Sequence, residues 1–462
     1  MPLFPADVLA SWSGGTWSGP PAAPARGVCA DTRRLRAGDL YVAIRGPRFD
    51  GHDFIGAAFS AGACAAMAET CPAAGTAGPV LVVGDTRKAL GDLASGYRRT
   101  VTARLVGVTG SVGKTTVKEM IADALAQAAP TARTPGNWNN DIGLPLSLLA
   151  IEPVHRYAVL EAGTNHPGEI AALCRGMRPD WGVVTAIGQG HLEHFGSVEA
   201  VAREKADLLR ALPAGGLAFL PRDDAWYELL RAAAPCPVVT VSLEAGADYR
   251  GRPDPAGGDR FVVEERETGE RAELVSPLPG RHMVANALFA AAVGRRCGLP
   301  WAAISAALAR YRPPPLRWNR SVVRNVTFIN DAYNANPMSM RAALEAFGRM
   351  AVAGRRWLVL GGMLELGPGE CDLHRQLGRV VAGGPWEGLL AVGPRGAWIV
   401  EGTREAGLSA DRSFCCADAG AAARRLDQWA RPGDAVLLKA SRTERLEKVL
   451  ESFAAAPGAG RE

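Results

Sequence analysis

The chain has 462 residues and a formal net charge of +5 at pH 7, and 48% of its residues are hydrophobic while 21% are charged. This length and composition fit about two to four domains with buried cores, and the small net charge argues against nucleic acid as a partner. The nine cysteines include no Cys-x-x-Cys pair, which favours reduced thiols over metal knuckles or disulfides. We find no signal peptide and no membrane-spanning apolar run, so we expect a cytoplasmic protein without membrane insertion.

Residues 1–100 carry short apolar runs separated by Gly, Pro and Asp, which predicts a small α/β domain. The apolar runs lie at 40–44, 63–67 and 80–83 and are predicted to form strands and short helices. Residues 14–27 are rich in Gly, Pro and Ala and are predicted to form a loop.

Residues 101–313 alternate longer apolar runs with helical patterns, the rhythm of a parallel sheet. Strands are predicted at 104–109, 157–160, 182–186 and 217–220. Helices are predicted at 114–128, 167–175, 197–211, 283–297 and 301–310. The Gly- and charge-rich stretch 245–275 is predicted to form hairpins.

A run of three prolines at 313–315 marks a stiff linker, and the alternating rhythm restarts after it. Strands near 321–329 and at 357–360, 389–392 and 435–438 predict a Rossmann-like C-terminal domain over 314–462. The expected fold is therefore α/β with three domains, the middle one a parallel-sheet phosphate-loop ATPase domain.

Residues 107–116 read Gly-Val-Thr-Gly-Ser-Val-Gly-Lys-Thr-Thr between a predicted strand and a predicted helix. Such a glycine-rich turn cradles phosphate with backbone N–H groups, while Lys114 supplies charge and the Thr115 hydroxyl can bind Mg²⁺. The first glycine stands at Gly107, one position earlier than in the usual phosphate-loop pattern. The predicted nucleotide-binding residues of this stretch are Gly107, Thr109, Gly110, Ser111, Val112, Gly113, Lys114, Thr115 and Thr116.

Two polar residues, Glu161 and His191, fall at strand ends on the same predicted sheet edge as this loop. Glu161 can hold Mg²⁺, or it can simply cap the next helix. His191 can bind a metal, or it can be an ordinary packed or surface histidine. Lys205, on the following helix, is on its own merely a solvated charge.

Several stretches, in this order and at this spacing, resemble the Mur ligase family. They are the phosphate loop, residues 139–145, residues 161–170 and residues 191–196 with Lys205. Residues 279–287, 331–340 and 438–442 resemble the member that joins D-alanyl-D-alanine to UDP-N-acetylmuramoyl-tripeptide. The resemblance covers nearly the whole chain.

The resemblance implies a nucleotide and metal site. It places ATP on the phosphate loop, His282 and Asn286 near adenine, Asp331 near ribose, and Arg317 on the nucleotide from the third domain. It implies two Mg²⁺ ions, one held by Thr115 and Glu161 and the other by Glu161, His191 and Lys205. The lysine is carbamylated in this family, which turns a repelling cation into an anionic ligand. Lys114, Glu161, His191 and Lys205 are thereby the implied catalytic residues.

The resemblance also implies three substrate-binding regions. Uridine diphosphate is expected on the first domain, at Asp31, Thr32, Arg33, Phe49 and Asp50. The dipeptide is expected at Tyr333, Asn334, Asn336, Lys439, Ser441 and Arg442, and further substrate contacts at Asn139 and Asn140. In the implied reaction, ATP converts the tripeptide carboxylate to an acyl phosphate, which the amine of the dipeptide attacks. Two departures from the family pattern are Gly362, where Asp is usual, and Ala440, where Gly is usual.

Two other functions compete with this interpretation. Another Mur ligase or a folylpolyglutamate synthetase would add a different amino acid, but residues 331–337 argue against both. A phosphate-loop switch protein would need no cluster of Glu161, His191 and Lys205. Within the favoured function, the third tripeptide residue is diaminopimelate or lysine, and a monomer is expected.

Overall fold

A computed structural model describes residues 2–71, 78–254 and 259–455, which form three β-sheets in chain order, each flanked by helices. Residues 255–258, within the predicted hairpin stretch, lie outside the described residues. No helix of the described part is both long enough and apolar enough to cross a bilayer.

The N-terminal sheet has the strand order β1-β5-β4-β3-β2, with β1 antiparallel to β5 and the others parallel. Its strands are β1 Thr16–Trp17, β2 Gly27–Cys29, β3 Asp39–Val42, β4 Ala65–Ala68 and β5 Val80–Val82. Its helices are α1 Ala6–Ser13, α2 Ile55–Ser60 and α3 Thr86–Arg98. The prediction of an uninterrupted loop over 14–27 is wrong at β1, because two residues pair with Leu81 and Val82 without a local strand pattern.

The central sheet has the order β14-β13-β12-β11-β10-β9-β6-β8-β7, parallel from β7 to β12 and antiparallel beyond. Its strands are β6 Arg104–Thr109, β7 Thr131–Arg133, β8 Tyr157–Glu161, β9 Trp181–Val184, β10 Leu217–Pro221, β11 Val238–Ser242, β12 Tyr249–Pro253, β13 Arg260–Glu265 and β14 Arg271–Val275. Its helices are α4 Lys114–Leu125, α5 Gly143–Leu149, α6 Glu169–Met177, α7 Leu192–Phe195, α8 Val198–Arg210, α9 Tyr227–Ala233, α10 Arg281–Arg296 and α11 Trp301–Arg310. The chain leaves β6 to form β7 and β8 on one side and returns to form β9 on the other. This topological switch creates a crevice at the carboxyl ends of the three central strands.

The C-terminal sheet has the order β15-β16-β20-β17-β18-β19, parallel except for β15. Its strands are β15 Asn319–Val323, β16 Val326–Asn330, β17 Arg356–Leu360, β18 Gly388–Val392, β19 Ser413–Cys416 and β20 Ala435–Lys439. Its helices are α12 Pro337–Arg349, α13 Glu370–Ala382, α14 Pro394–Glu405, α15 Ala419–Trp429 and α16 Glu447–Ala455. The single strand predicted near 321–329 is a hairpin, because Arg324 and Asn325 both adopt positive φ and reverse the chain.

Candidate active site

The phosphate loop joins the end of β6 to the start of α4. Gly110 has φ +145°, and a Cβ there would lie 2.1 Å from Thr185 Oγ1. Gly113 has φ +87°, and its Cβ would lie 2.7 Å from Asn286 Oδ1. Both positions therefore require glycine for backbone conformation and close approach. The N-terminus of α4 faces the crevice, as an anion site requires.

Gly107 does not belong to the loop, because it lies inside β6. A Cβ at this position would meet Leu208 Cδ1 at 2.8 Å and Met177 Cε at 3.0 Å. The glycine displaced from the usual motif position thus lets helices pack on the strand. Thr109 is also buried in β6, where its hydroxyl donates to Ala162 O at 2.8 Å.

The two loop residues expected to contact phosphate and metal already have polar partners. Lys114 Nζ donates to Gly110 O at 2.8 Å, and burial lowers the pKa of Lys114 although Glu161 acts to raise it. Thr115 Oγ1 accepts from Arg317 Nη2 at 3.0 Å. An arginine from the C-terminal sheet region therefore reaches the first turn of α4.

Glu161 ends β8 with a carboxylate that is only 1% exposed. Its Oε1 accepts from Asn139 Nδ2 at 2.7 Å, and its backbone N–H donates to Thr134 Oγ1 at 2.9 Å. Its Oε2 is buried and has no hydrogen-bond partner in the described residues. A buried carboxylate oxygen without a donor is a costly arrangement that a cation would relieve.

Lys205, on α8, is buried with an ammonium that has no hydrogen-bond partner among the described residues. Burial lowers the pKa of Lys205 well below its usual range, and the nearby Lys114 charge lowers it further. The carboxylate of the neighbouring Glu204 accepts hydrogen bonds from Gly168 N at 2.7 Å and Ile170 N at 2.8 Å, and not from Lys205. This environment favours the neutral amine over the ammonium.

His191 follows β9 and adopts a left-handed conformation, with φ 56°. Its Nδ1 forms a hydrogen bond with Glu365 Oε2 from the loop after β17. That contact lowers the pKa of the Glu365 carboxyl, the His191 hydrogen bond being the largest cause. His191 and Glu365 are 174 residues apart in the chain, so the sequence alone did not predict this contact.

One cavity of about 560 Å³ lies between the central and C-terminal sheets. It is within the usual size range of ligand sites. Most predicted residues of the nucleotide, metal and acceptor sites line it together: Ser111, Val112, Gly113, Lys114, Thr115, Thr116, Asn139, Asn140, Glu161, His191, His282, Asn286, Arg317, Asp331, Tyr333, Asn334, Asn336 and Lys439.

The remaining predicted residues do not line this cavity. These are Gly107, Thr109, Gly110, Lys205, Ser441 and Arg442, with Asp31, Thr32, Arg33, Phe49 and Asp50 of the N-terminal sheet. Ser441 is buried and accepts from Leu364 N at 3.0 Å, while Arg442 points away to Glu447, at 2.8 Å. No three His, Cys, Asp or Glu side chains of the described ranges cluster as a metal site; the predicted ligands include only two such residues.

His282 and Asn286 begin α10 at one end of the cavity. Burial lowers the pKa of His282 to about 4, against an opposing effect of Asp331, so the ring is neutral near pH 7. Leu278 and Met283 supply apolar wall beside it. Sequence motifs did not reveal this wall, because nothing in the sequence distinguishes an apolar residue that lines a cavity from one that packs in a core.

Arg317 is presented by a strained segment after the prolines. Leu316 and Trp318, on either side of it, have φ of 63° and 55°. The guanidinium lies over the Tyr333 ring, 4.0 Å from its centroid. The flanking conformations cost about 1–2 kcal/mol per residue, so packing must hold them in place.

Asp331 and Lys439, at the ends of the neighbouring strands β16 and β20, form an ion pair in which Lys439 is buried and Asp331 is partly buried. Lys439 Nζ lies 2.5 Å from Asp331 Oδ2 and also donates to Asn334 O at 3.2 Å. Asn336 caps α12, since its Oδ1 accepts from Ser339 N at 2.8 Å. These residues fix the loop that closes the cavity from the C-terminal side.

The N-terminal residues gather at the carboxyl edge of β2 and β3. Asp31 receives two hydrogen bonds from the Arg33 guanidinium, at 2.9 and 2.8 Å. Asp50 caps the turn after it and accepts from Arg45 Nε at 2.7 Å. Phe49 is 72% exposed, an available stacking face on this edge.

A phosphate loop at a topological switch point, faced by charged residues of a second parallel sheet, defines a nucleotide-dependent enzyme of the phosphate-loop class. Residues 24–98, 108–294 and 317–442 match the Mur ligase family catalytic domain, the Mur ligase middle domain and the Mur ligase glutamate ligase domain, respectively. The chain belongs to the Mur ligase family.

Relatives share most of the chain's length. The UDP-N-acetylmuramoyl-tripeptide–D-alanyl-D-alanine ligase of Escherichia coli is 39% identical over 79% of this chain and 81% of its own. Its Bacillus subtilis counterpart is 34% identical over 93% of both chains. Crystal structure I of MurF from Acinetobacter baumannii matches with a TM-score of 0.89 at 30% identity, covering 99% of this chain and 100% of its own. MurF from Thermotoga maritima in complex with ADP matches with a TM-score of 0.80 at 29% identity, over 93% and 97%.

Proposed function

We propose that this protein is the ATP-dependent ligase that joins D-alanyl-D-alanine to UDP-N-acetylmuramoyl-tripeptide in peptidoglycan precursor synthesis. The observation that carries the proposal is the single cavity shared by the phosphate loop and by Tyr333, Asn334 and Lys439 of the C-terminal region. Nucleotide and acceptor chemistry can meet there. The names of the relatives supply the substrates.

The reaction has two covalent steps. The terminal carboxylate of the tripeptide attacks the γ-phosphorus of ATP, the bond to the β-phosphate oxygen breaks, and ADP leaves behind an acyl phosphate. The dipeptide amine then attacks the acyl carbon, loses a proton, and expels phosphate as the amide forms. Lys114 and the N-terminus of α4 bind the transferred phosphoryl group and oppose its negative charge.

The side chains present fit Mg²⁺. Thr115 and Glu161 would hold one ion, and Glu161, His191 and a carbamylated Lys205 would hold the other. The buried Oε2 of Glu161, which has no hydrogen-bond partner in the described residues, can coordinate a cation. Bound magnesium offsets charge between carboxylate and phosphate. The buried Lys205 amine, without a hydrogen-bond partner in the described ranges, fits carbamylation because only the neutral form reacts with CO₂.

We assign each of the three substrates to one of the three sheet-containing regions. We place uridine diphosphate on residues 1–100, at the edge that carries Asp31 and Asp50, and ATP on residues 101–313. Residues 314–462 bring the dipeptide and complete the nucleotide site through Arg317 and Asp331. Asn139 orients Glu161 rather than standing free, because its amide is already engaged with that carboxylate.

Purified protein with ATP, Mg²⁺ and UDP-N-acetylmuramoyl-tripeptide tests the proposal. Phosphate release should depend on D-alanyl-D-alanine, and both the diaminopimelate and the lysine tripeptides should be compared. Release with free glutamate or diaminopimelate instead would identify a different ligase. Full turnover of ATP without any amine would indicate a switch protein.

A further inference from the structure

Glu365 joins the loop after β17 to the turn after β9, across the boundary between the C-terminal and central sheets. Its carboxylate meets His191 Nδ1, and its backbone carbonyl accepts from Glu193 N at 3.1 Å. Both His191 and Glu365 hold left-handed backbone, with φ of 56° and 60°. Two hydrogen bonds and two strained backbone conformations at one place indicate a specific contact between the two domains.

The loop that carries Glu365 is anchored by backbone hydrogen bonds to two side chains of the C-terminal domain. The N–H of Met363 donates to Nε2 of the buried His374 at 2.9 Å. The next N–H, of Leu364, donates to Ser441 Oγ at 3.0 Å. Glu365 is therefore delivered by an anchored backbone, although its side chain is 41% exposed.

We propose that Glu365 is a positioning residue that orients His191 for metal binding when the two sheets are docked; this inference rests on the metal role given to His191 in the proposed function. A carboxylate on Nδ1 fixes the proton there and leaves the Nε2 lone pair for a cation. The orienting group comes from the other side of the cavity. Metal affinity at His191 is thus tied to docking of the C-terminal domain.

The test compares Glu365→Ala and Glu365→Gln with Glu401→Ala in the full-length protein. Glu401 is a fair control, since it lies in the same domain, is 46% exposed and pairs with one arginine, Arg375, at 2.9 Å. Mn²⁺ binding is followed by electron paramagnetic resonance with a non-hydrolysable ATP analogue. Affinity for the analogue alone is measured without metal.

Glu365→Ala should weaken Mn²⁺ binding about 10–100-fold and remove the histidine nitrogen coupling from the spin-echo spectrum. Glu365→Gln should fall in between, because its amide oxygen still accepts a hydrogen bond. Glu401→Ala should match the wild type, and no variant should change affinity for the metal-free analogue more than about twofold.

Unchanged Mn²⁺ affinity in Glu365→Ala would overturn the inference. A parallel loss of analogue affinity would overturn it too, because that pattern indicates damage to the domain rather than to one ligand. A wild-type protein that binds Mn²⁺ but does not use D-alanyl-D-alanine would refute the proposed substrate. The comparison of Mn²⁺ binding between the variants would still test the role of Glu365.

Discussion

Lys118 offers a direct test of how the side of the cavity that carries Glu161 is supported. It lies one turn beyond Lys114 on α4 and is 0% exposed. Its ammonium donates to Thr134 O at 2.6 Å and Gly136 O at 3.2 Å, and pairs with Glu119 at 2.6 Å. Three acceptors satisfy its three protons. Because Thr134 in turn contacts Glu161, Lys118 holds the segment behind that carboxylate.

We expect Lys118→Met to keep the volume but lose these contacts. Breaking a buried pair costs about 3–5 kcal/mol. The lower end applies, because Glu119 keeps Arg133 as a partner at 2.8 Å. A loss of about 3 kcal/mol lowers the unfolding midpoint by about 6–12 °C in a domain of this size. The Mg²⁺ concentration for half-maximal ligation should also rise, since Glu161 loses its support.

Scanning calorimetry and Mg²⁺ titration of the ligation rate measure both effects. Lys88→Met is the matched control, because Lys88 is 76% exposed and forms only a surface pair with Asp92, which contributes little. If Lys118→Met unfolded at the same temperature as Lys88→Met, the buried ammonium would not stabilise the fold. If it unfolded early but kept its Mg²⁺ dependence, the link to Glu161 would be wrong.

Four further predictions have defined outcomes. Lys205→Ala should abolish ligation, with partial rescue by short carboxylates, and near-normal activity would exclude a carbamate ligand. Gly107→Ala should destabilise the fold by about 1–3 kcal/mol through overpacking and leave the KM for ATP unchanged. Gly110→Ala should raise the KM for ATP. If kinetic assays showed the same increase in KM for both variants, Gly107 would have a role in phosphate binding after all. Asp331→Asn should raise KM for ATP more than KM for the dipeptide, and the reverse pattern would move the ribose elsewhere. The pKa of His282, about 4 in the folded protein, lies below its ordinary 6.5, so the unfolded chain alone gains a proton and stability falls by up to about 3 kcal/mol as pH drops from 6.5 to 4. His282→Gln should flatten that decline in melting temperature, and an equally steep decline would contradict the shift.

Elements with a strong periodic pattern were predictable from sequence. Strand β6 and helix α4 were expected at 104–109 and 114–128, and they lie at Arg104–Thr109 and Lys114–Leu125. Strand β7 was missed because three half-buried residues have no clear period. Strand β11 was missed although it is largely buried, because a run of five residues is too short to be assigned to a strand by periodicity alone.

Many residues that line the cavity were predictable from the sequence, but their hydrogen-bond partners were not. Motif spacing selected Glu161 and His191, and both line the cavity. It did not reveal that Asn139 binds Glu161 or that Glu365 binds His191, because such contacts depend on how separate loops meet. Gly107 shows the opposite error: proximity to a motif suggested a role in phosphate binding for a residue that serves helix packing.

The position of β20 has a consequence for synthesis of the protein on the ribosome. This strand, Ala435–Lys439, lies in the middle of the C-terminal sheet, between β16 and β17. Domains generally fold in the order in which they are made, at about 5–20 residues per second. The phosphate loop can thus form early, whereas β16 and β17 lack their shared neighbour until residues 435–439 have emerged from the ribosome. The C-terminal side of the cavity, which includes Lys439 at the end of β20, is therefore completed after the side formed by the phosphate loop.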